Sequence, residues 1–68
     1  MEIKLRSKLL HSATYDPTSQ LLILVMANGH RREFVEVPEQ VFDDLQATKS
    51  PGSYYTKHIK NTYSPSPM

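Results

Sequence analysis

Six consecutive apolar residues, Leu21-Leu-Ile-Leu-Val-Met26, followed after one residue by Asn28-Gly29, constrain this chain more than any other feature. The run is far shorter than the ~20 residues that cross a bilayer. It is also too short to stand as an isolated helix in water. Its branched aliphatic residues suit a pleated strand, and its two apolar faces predict a central strand covered on each side. Asn-Gly favours a tight two-residue hairpin turn in which both residues take positive φ. The chain is therefore expected to reverse at 28–29 and return as a strand over 30–37, with Phe34 on one face and Val35 and Val37 on the other.

The remaining elements are arranged around that hairpin. Residues 3–9 alternate, with Ile3, Leu5 and Leu9 on one side and Glu2, Lys4, Arg6 and Lys8 on the other, the period of a half-buried strand that continues toward Tyr15. Asp16-Pro17-Thr18-Ser19 supplies turn chemistry, since proline fixes φ and the Asp and Ser side chains satisfy nearby amides. Tyr15 is expected to cap the end of its strand. Pro38 ends the sheet and opens a helix over 38–48. There Val41, Phe42, Leu45 and Thr48 recur at helical spacing, Glu39, Asp43 and Asp44 point outward, and Lys49 suits the C-terminal end. Ser50-Pro51 repeats a helix-start signal, with Ser50 as N-cap, and Gly52 leaves a simple turn as the alternative. Over 53–61, Tyr54, Tyr55, His58 and Ile59 share one helical face, opposite Ser53, Thr56, Lys57 and Lys60. The tail 64–68, rich in Pro and Ser, is expected to be disordered. The reading is one α+β domain over 1–63: a three- to four-stranded antiparallel meander followed by two short helices packed on one face.

Sixty-eight residues support a stability of only ~3–10 kcal/mol, which leaves little to hold a strained active site. The absence of cysteine removes disulfides, thiolate chemistry and Cys-rich zinc sites. Charges interrupt the first ten residues, so no secretory h-region is present, and a cytoplasmic location without membrane contact is expected. The net charge is +1, but it comes in blocks. Lys4, Arg6 and Lys8 oppose only Glu2 near the N-terminus. Glu36, Glu39, Asp43 and Asp44 form an acidic stretch, and Lys49, Lys57 and Lys60 follow it with no acid after residue 44.

The order Tyr15-Asp16, Leu22-x-Leu24-x-Met26, Gly29, Phe34-x-x-Val37-Pro38, Val41-Phe42-x-x-Leu45, Ser50-x-Gly52 and Tyr54-Tyr55-x-x-x-Ile59 resembles the KTSC domain pattern in residue type and spacing. The resemblance runs from Ser7 to Tyr63 and leaves residues 1–6 as an N-terminal extension of the first strand. It implies a small domain from a bacterial or phage-like source, one also found at the C-terminus of some lysyl-tRNA synthetases, with RNA binding as the suspected role. One position departs from the pattern. The family places an aromatic-x-aromatic element before the Val-Pro, and here those positions read Arg32-Glu33-Phe34. If that pair stacks on bases, half of the platform is missing here, although a guanidinium plane can also stack on a base.

No catalytic constellation is visible, so an enzyme is not expected. Ser, His and Asp occur without a Gly-x-Ser-x-Gly elbow, and the two glycines, Gly29 and Gly52, are too far apart to form a phosphate loop. His11, His30 and His58 lie on three elements without ligand spacing, so neither a metal nor another cofactor is expected. His58 is expected as a partly buried packing residue. The candidate nucleic-acid contacts are Lys4, Arg6 and Lys8 on one strand face, Arg31 and Arg32 after the hairpin, and Lys57, Lys60 and Tyr54 on the last helix. Lys and Arg release counterions when they neutralise phosphates, and tyrosines among them can stack bases. The bland alternative is that these side chains only solvate outward faces, with Tyr54 and Tyr55 in the core. The expected function is thus a small binding module for RNA or DNA without sequence specificity. The alternative is a protein-interaction or homo-oligomerisation module using an apolar sheet face or the edge strand near residues 3–9. The nucleic-acid reading requires Arg31 or Arg32 to share a face with Lys57 or Lys60.

Overall fold

The computed structural model describes residues 1–63; the segment 64–68, expected as a disordered tail, lies outside the described residues. Four strands form an antiparallel meander in chain order: β1 (Glu2–Lys4), β2 (Leu10–Asp16), β3 (Leu21–Met26) and β4 (Arg31–Phe34). Helix α1 (Glu39–Ala47) follows, then α2 (Pro51–Tyr54), which runs directly into a π-helical turn at Tyr55–Ile59. The α+β order expected from the sequence is present. Among the described residues, no helix is long and apolar enough to cross a membrane.

The alternation over 3–9 belongs to two directions of chain, not one strand. β1 pairs with β2 in the register Ile3 to Ala13, so the chain turns within residues 5–9. Ser7 drives the turn locally: its Oγ accepts the Leu9 N–H at 3.1 Å. Farther on, His11 is an extra residue between the Leu10–Met26 and Ser12–Val25 pairs. Such a bulge re-aims the side chains on either side of it. It places Leu10 in the core and leaves Leu9, which strict alternation assigns to the interior, exposed.

The hairpin also differs in detail from the expected two-residue turn. The Gly29 N–H donates to the Met26 carbonyl at 2.9 Å and the Met26 N–H to the His30 carbonyl at 2.7 Å, so the loop is Ala27-Asn28-Gly29. Within this loop only Gly29 carries positive φ, at 91°. This is the three-residue alternative, in which one left-handed residue closes the loop. The Asn28 side chain still contributes, because its Oδ1 accepts the His30 N–H at 3.0 Å. At the other hairpin, Asp16 Oδ1 accepts the Thr18 N–H at 3.0 Å. That amide, followed by the Ser19 hydroxyl, lowers the Asp16 pKa.

β3 is covered on one face only. Leu22, Leu24 and Met26 are buried with Ala13, Tyr15, Phe34, Val41, Phe42, Leu45, Tyr55 and Ile59 in the single core beneath the helices. Leu21, Ile23 and Val25 lie on the opposite face and are half-buried, level with Thr14 of β2 and with Arg31 and Glu33 of β4. The strand Val35–Val37 expected beyond β4 is broken by Glu36, whose φ of 57° lies in the left-handed region. The break sends Val37 into the core with Phe34 instead of to the opposite side.

Val37 is also the hinge between sheet and helix. Its N–H donates to the Gln20 carbonyl at 3.0 Å, and its carbonyl accepts the Tyr15 hydroxyl at 2.6 Å. Tyr15 therefore does not cap a strand end; it is 1% exposed and stacks on Phe42 with ring centroids 5.4 Å apart. One side chain thus pins the Val-Pro junction and the first turns of α1. Burial, then the charges of Glu39, Asp16 and Asp43, raises the Tyr15 pKa, which keeps the phenol as a donor.

The last helix is continuous across Tyr54 and Tyr55, and Ser50 makes no side-chain cap. The Lys60 N–H reaches the Tyr55 carbonyl at 2.9 Å, one residue farther than an α-helical bond. Pro51, Tyr55 and Ile59 are buried, Tyr54 is half-buried and His58 is exposed. The partly buried role expected of His58 is therefore not found; its ring lies against Tyr54 with centroids 4.8 Å apart. Asp44, expected outward, is half-buried and accepts from Tyr54 Oη at 3.3 Å and Gln40 Nε2 at 2.8 Å.

Candidate functional site

Three separate pieces of chain meet at the Met26 end of the sheet. The loop after β1 is tied to the β3–β4 hairpin by the Ala27 N–H, which donates to the Leu9 carbonyl at 2.7 Å. The same loop is pressed against α2 at Gly52, where a Cβ would lie 2.9 Å from Ser7 Oγ and 3.3 Å from Leu9 Cβ. Only a glycine permits that approach. The third piece is the π-helical turn, which Tyr55 fixes by packing edge-on against Phe34 of β4 at 6.2 Å.

These pieces enclose a cleft of about 480 Å³, a size ordinary for ligand clefts. Lys8 enters it from the loop, Arg32 from β4 and Lys60 from the end of the helix. His30, Asn28 and Thr56 add polar groups, while Leu9, Met26, Ala27 and Tyr55 supply apolar surface. No Asp or Glu is among its described lining residues. The chain has eight basic and seven acidic residues, so with three cations in the cleft the acids outnumber the bases elsewhere. Asp16, Glu39 and Asp43 act together on Tyr15, near the Leu21 end of the sheet where Asp16 pairs. That end is five residues along β3 from Met26, roughly 17 Å at strand rise.

The structure divides the basic residues expected to act together. Lys8, Arg32 and Lys60 converge. Arg31, next to Arg32 in sequence, is opposite Val25 on the other sheet face, where its Nε lies 3.0 Å from Glu33 Oε2. Lys4 pairs with Ser12 on that same outer face, so it does not share a surface with Lys8. Arg6 and Lys57 are exposed but do not line the cleft. Tyr54 is also outside it, with its hydroxyl on Asp44; burial first, then Asp44, raises its pKa. Tyr55 is the aromatic residue at the cleft.

The sequence reading did not place His30, Asn28, Thr56 or Leu9 at a site. Helical spacing set Thr56 and Lys60 on one face, which is the one signal that pointed there. A KTSC domain model matches residues 6–63 of the chain. The chain belongs to the KTSC domain family. A relative from Tsukamurella paurometabola is 39% identical over 54 residues, covering 79% of this chain and 81% of its own length. The crystal structure of a KTSC domain protein from Yersinia pestis superposes with a TM-score of 0.91 over 100% of this chain and 96% of that one. At 19% identity that likeness is one of fold. β1 lies before the matched span yet is part of the sheet of this KTSC domain. Arg32, where the resemblance implies an aromatic residue, lines the cleft.

Proposed function

We propose that this KTSC domain is a non-catalytic module that binds nucleic acid, RNA or DNA, by holding sugar-phosphate backbone against Lys8, Arg32 and Lys60. One observation supports the reading above the others: three cations on three separate elements meet in a cleft with no acid among its described lining residues, in a chain of net charge +1. Lysines and arginines that only solvated a surface have no need to converge from three elements on one cleft. All three are exposed, so water screens their mutual repulsion when the cleft is empty. A bound phosphate chain replaces that screening with direct contacts and releases counterions to the bulk. The cysteine-free composition accords with action in the cytoplasm.

The test is the salt dependence of binding to labelled oligonucleotides by fluorescence anisotropy. Three phosphate contacts give a slope of about −2.1 to −2.7 in log K against log salt, or roughly 20- to 40-fold weaker binding between 50 and 200 mM. A slope near zero, or no binding below ~100 μM at low salt, would remove the reading.

A second reading rests on the other sheet face. Leu21, Ile23 and Val25 form a half-buried apolar row there, outside the single core. An apolar face of that kind suits a protein partner or a second copy of the domain. Light scattering across protein concentration separates the two: self-association supports the homo-oligomer, and a strict monomer leaves only a heteromeric partner.

A further inference from the structure

We infer that the cleft takes one unstacked nucleobase as well as phosphate, so that the domain binds single strands in preference to duplex. This rests on the nucleic-acid reading and narrows its ligand. The added observation is Leu9. It is 39% exposed, and the one other exposed large hydrophobic among the described residues is Met1. A surface that met only phosphates would gain nothing from an exposed leucine among its lining residues, whereas the face of a base is apolar and gains contact from it.

The leucine is held in place. Its carbonyl is tied to Ala27, its N–H to Ser7 Oγ, and its side chain rests against Gly52. Arg32 enters the same cleft from β4 and presents a guanidinium plane that can stack on a base. The polar groups nearby are not all consumed by the fold. Asn28 uses Oδ1 for His30 and leaves its NH2 donors, and Thr56 donates its hydroxyl to the Gly52 carbonyl and leaves acceptor capacity. Donors and acceptors therefore lie beside an apolar surface in a concave site. In a duplex the base faces are stacked and cannot enter such a cleft, while in a single strand they are free to be splayed out.

The experiment uses the full chain in a competition assay. A labelled thymidine hexamer is displaced by an unlabelled thymidine hexamer, by an abasic hexamer with the same phosphates, or by a G·C-rich duplex of about 20 base pairs, long enough to stay paired at the assay temperature. The thymidine hexamer is expected to compete about 5-fold better than the abasic one, the lower end of the worth of one stacked base, because the contact is made by leucine and guanidinium and not by an exposed aromatic ring. Leu9→Ala removes an exposed side chain and is expected to weaken the thymidine hexamer while leaving the abasic hexamer unchanged. Equal competition by the thymidine and abasic hexamers, or stronger competition by the duplex, overturns the base site and leaves the phosphate reading standing. Failure of the labelled hexamer to bind at all overturns both.

Discussion

Tyr15→Phe tests the packing argument at the point where the sheet, the Val-Pro junction and α1 are joined. The substitution keeps the ring that stacks on Phe42 at 5.4 Å and deletes only the hydroxyl that donates to the Val37 carbonyl at 2.6 Å. The loss leaves a buried carbonyl without that donor, which costs about 1–2 kcal/mol. Against a total of ~3–10 kcal/mol the loss is large, and for a domain of this size it lowers Tm by roughly 5–15 °C. The same residue sets an alkaline limit. Its folded pKa is raised above the ordinary value of 10.0, first by burial and then by Glu39, Asp16 and Asp43. The native state therefore holds its proton where the unfolded chain has lost it. That stability is complete below about pH 10 and is lost as pH rises through the folded value. Tyr54 shifts in the same direction, so the Tyr15→Phe variant should show a shallower alkaline decline, not a flat one. Thermal unfolding followed by circular dichroism at about pH 7 and about pH 10.5, on either side of the unfolded tyrosine value, reads both effects. A variant with unchanged Tm at neutral pH, or a wild type whose Tm is the same at both pH values, would refute the reasoning.

Two further substitutions probe how the backbone places the cleft. Gly52→Ala adds a Cβ 2.9 Å from Ser7 Oγ and 3.3 Å from Leu9 Cβ, so Ser7 Oγ must rotate off the Leu9 N–H it accepts and the loop carrying Lys8 loses that tie; the salt slope of oligonucleotide binding should shrink by up to about 0.7, one phosphate contact, and a wild-type slope would contradict the placement. Glu36 holds φ at 57°, so Glu36→Gly should stabilise by up to about 1 kcal/mol and Glu36→Val destabilise by about 1–2 kcal/mol; denaturant midpoints in the reverse order would contradict the strain argument.

Much of the fold was legible because it is encoded locally. The apolar run 21–26, the Asn-Gly hairpin, the Val-Pro junction and the helical faces each carry a short-range signal in residue type and spacing. Two of the details that escaped are single-residue insertions. His11 adds one residue to β2, which puts Leu10 inside and leaves Leu9 out. The π-helical turn at Tyr55–Ile59 stretches one hydrogen bond without any composition that marks it. The cleft was half legible for a different reason. Lys8, Arg32 and Lys60 could be named from charge, but only the meander decides that Arg32 points toward the helices and Arg31 away from them. Sequence adjacency sets the two arginines on opposite faces of a strand without saying which face has the cleft.

That pair offers the most direct test of the central claim, because Arg31 and Arg32 have the same charge and the same strand. Each is replaced by alanine in turn, and oligonucleotide affinity is measured at low salt with Tm as a control. Arg32→Ala should weaken binding and reduce the salt slope by about 0.7 to 0.9, while Arg31→Ala, which breaks only a surface pair with Glu33, should leave both near wild type. Equal losses from the two substitutions, or a larger loss from Arg31→Ala, would contradict a binding site in the cleft.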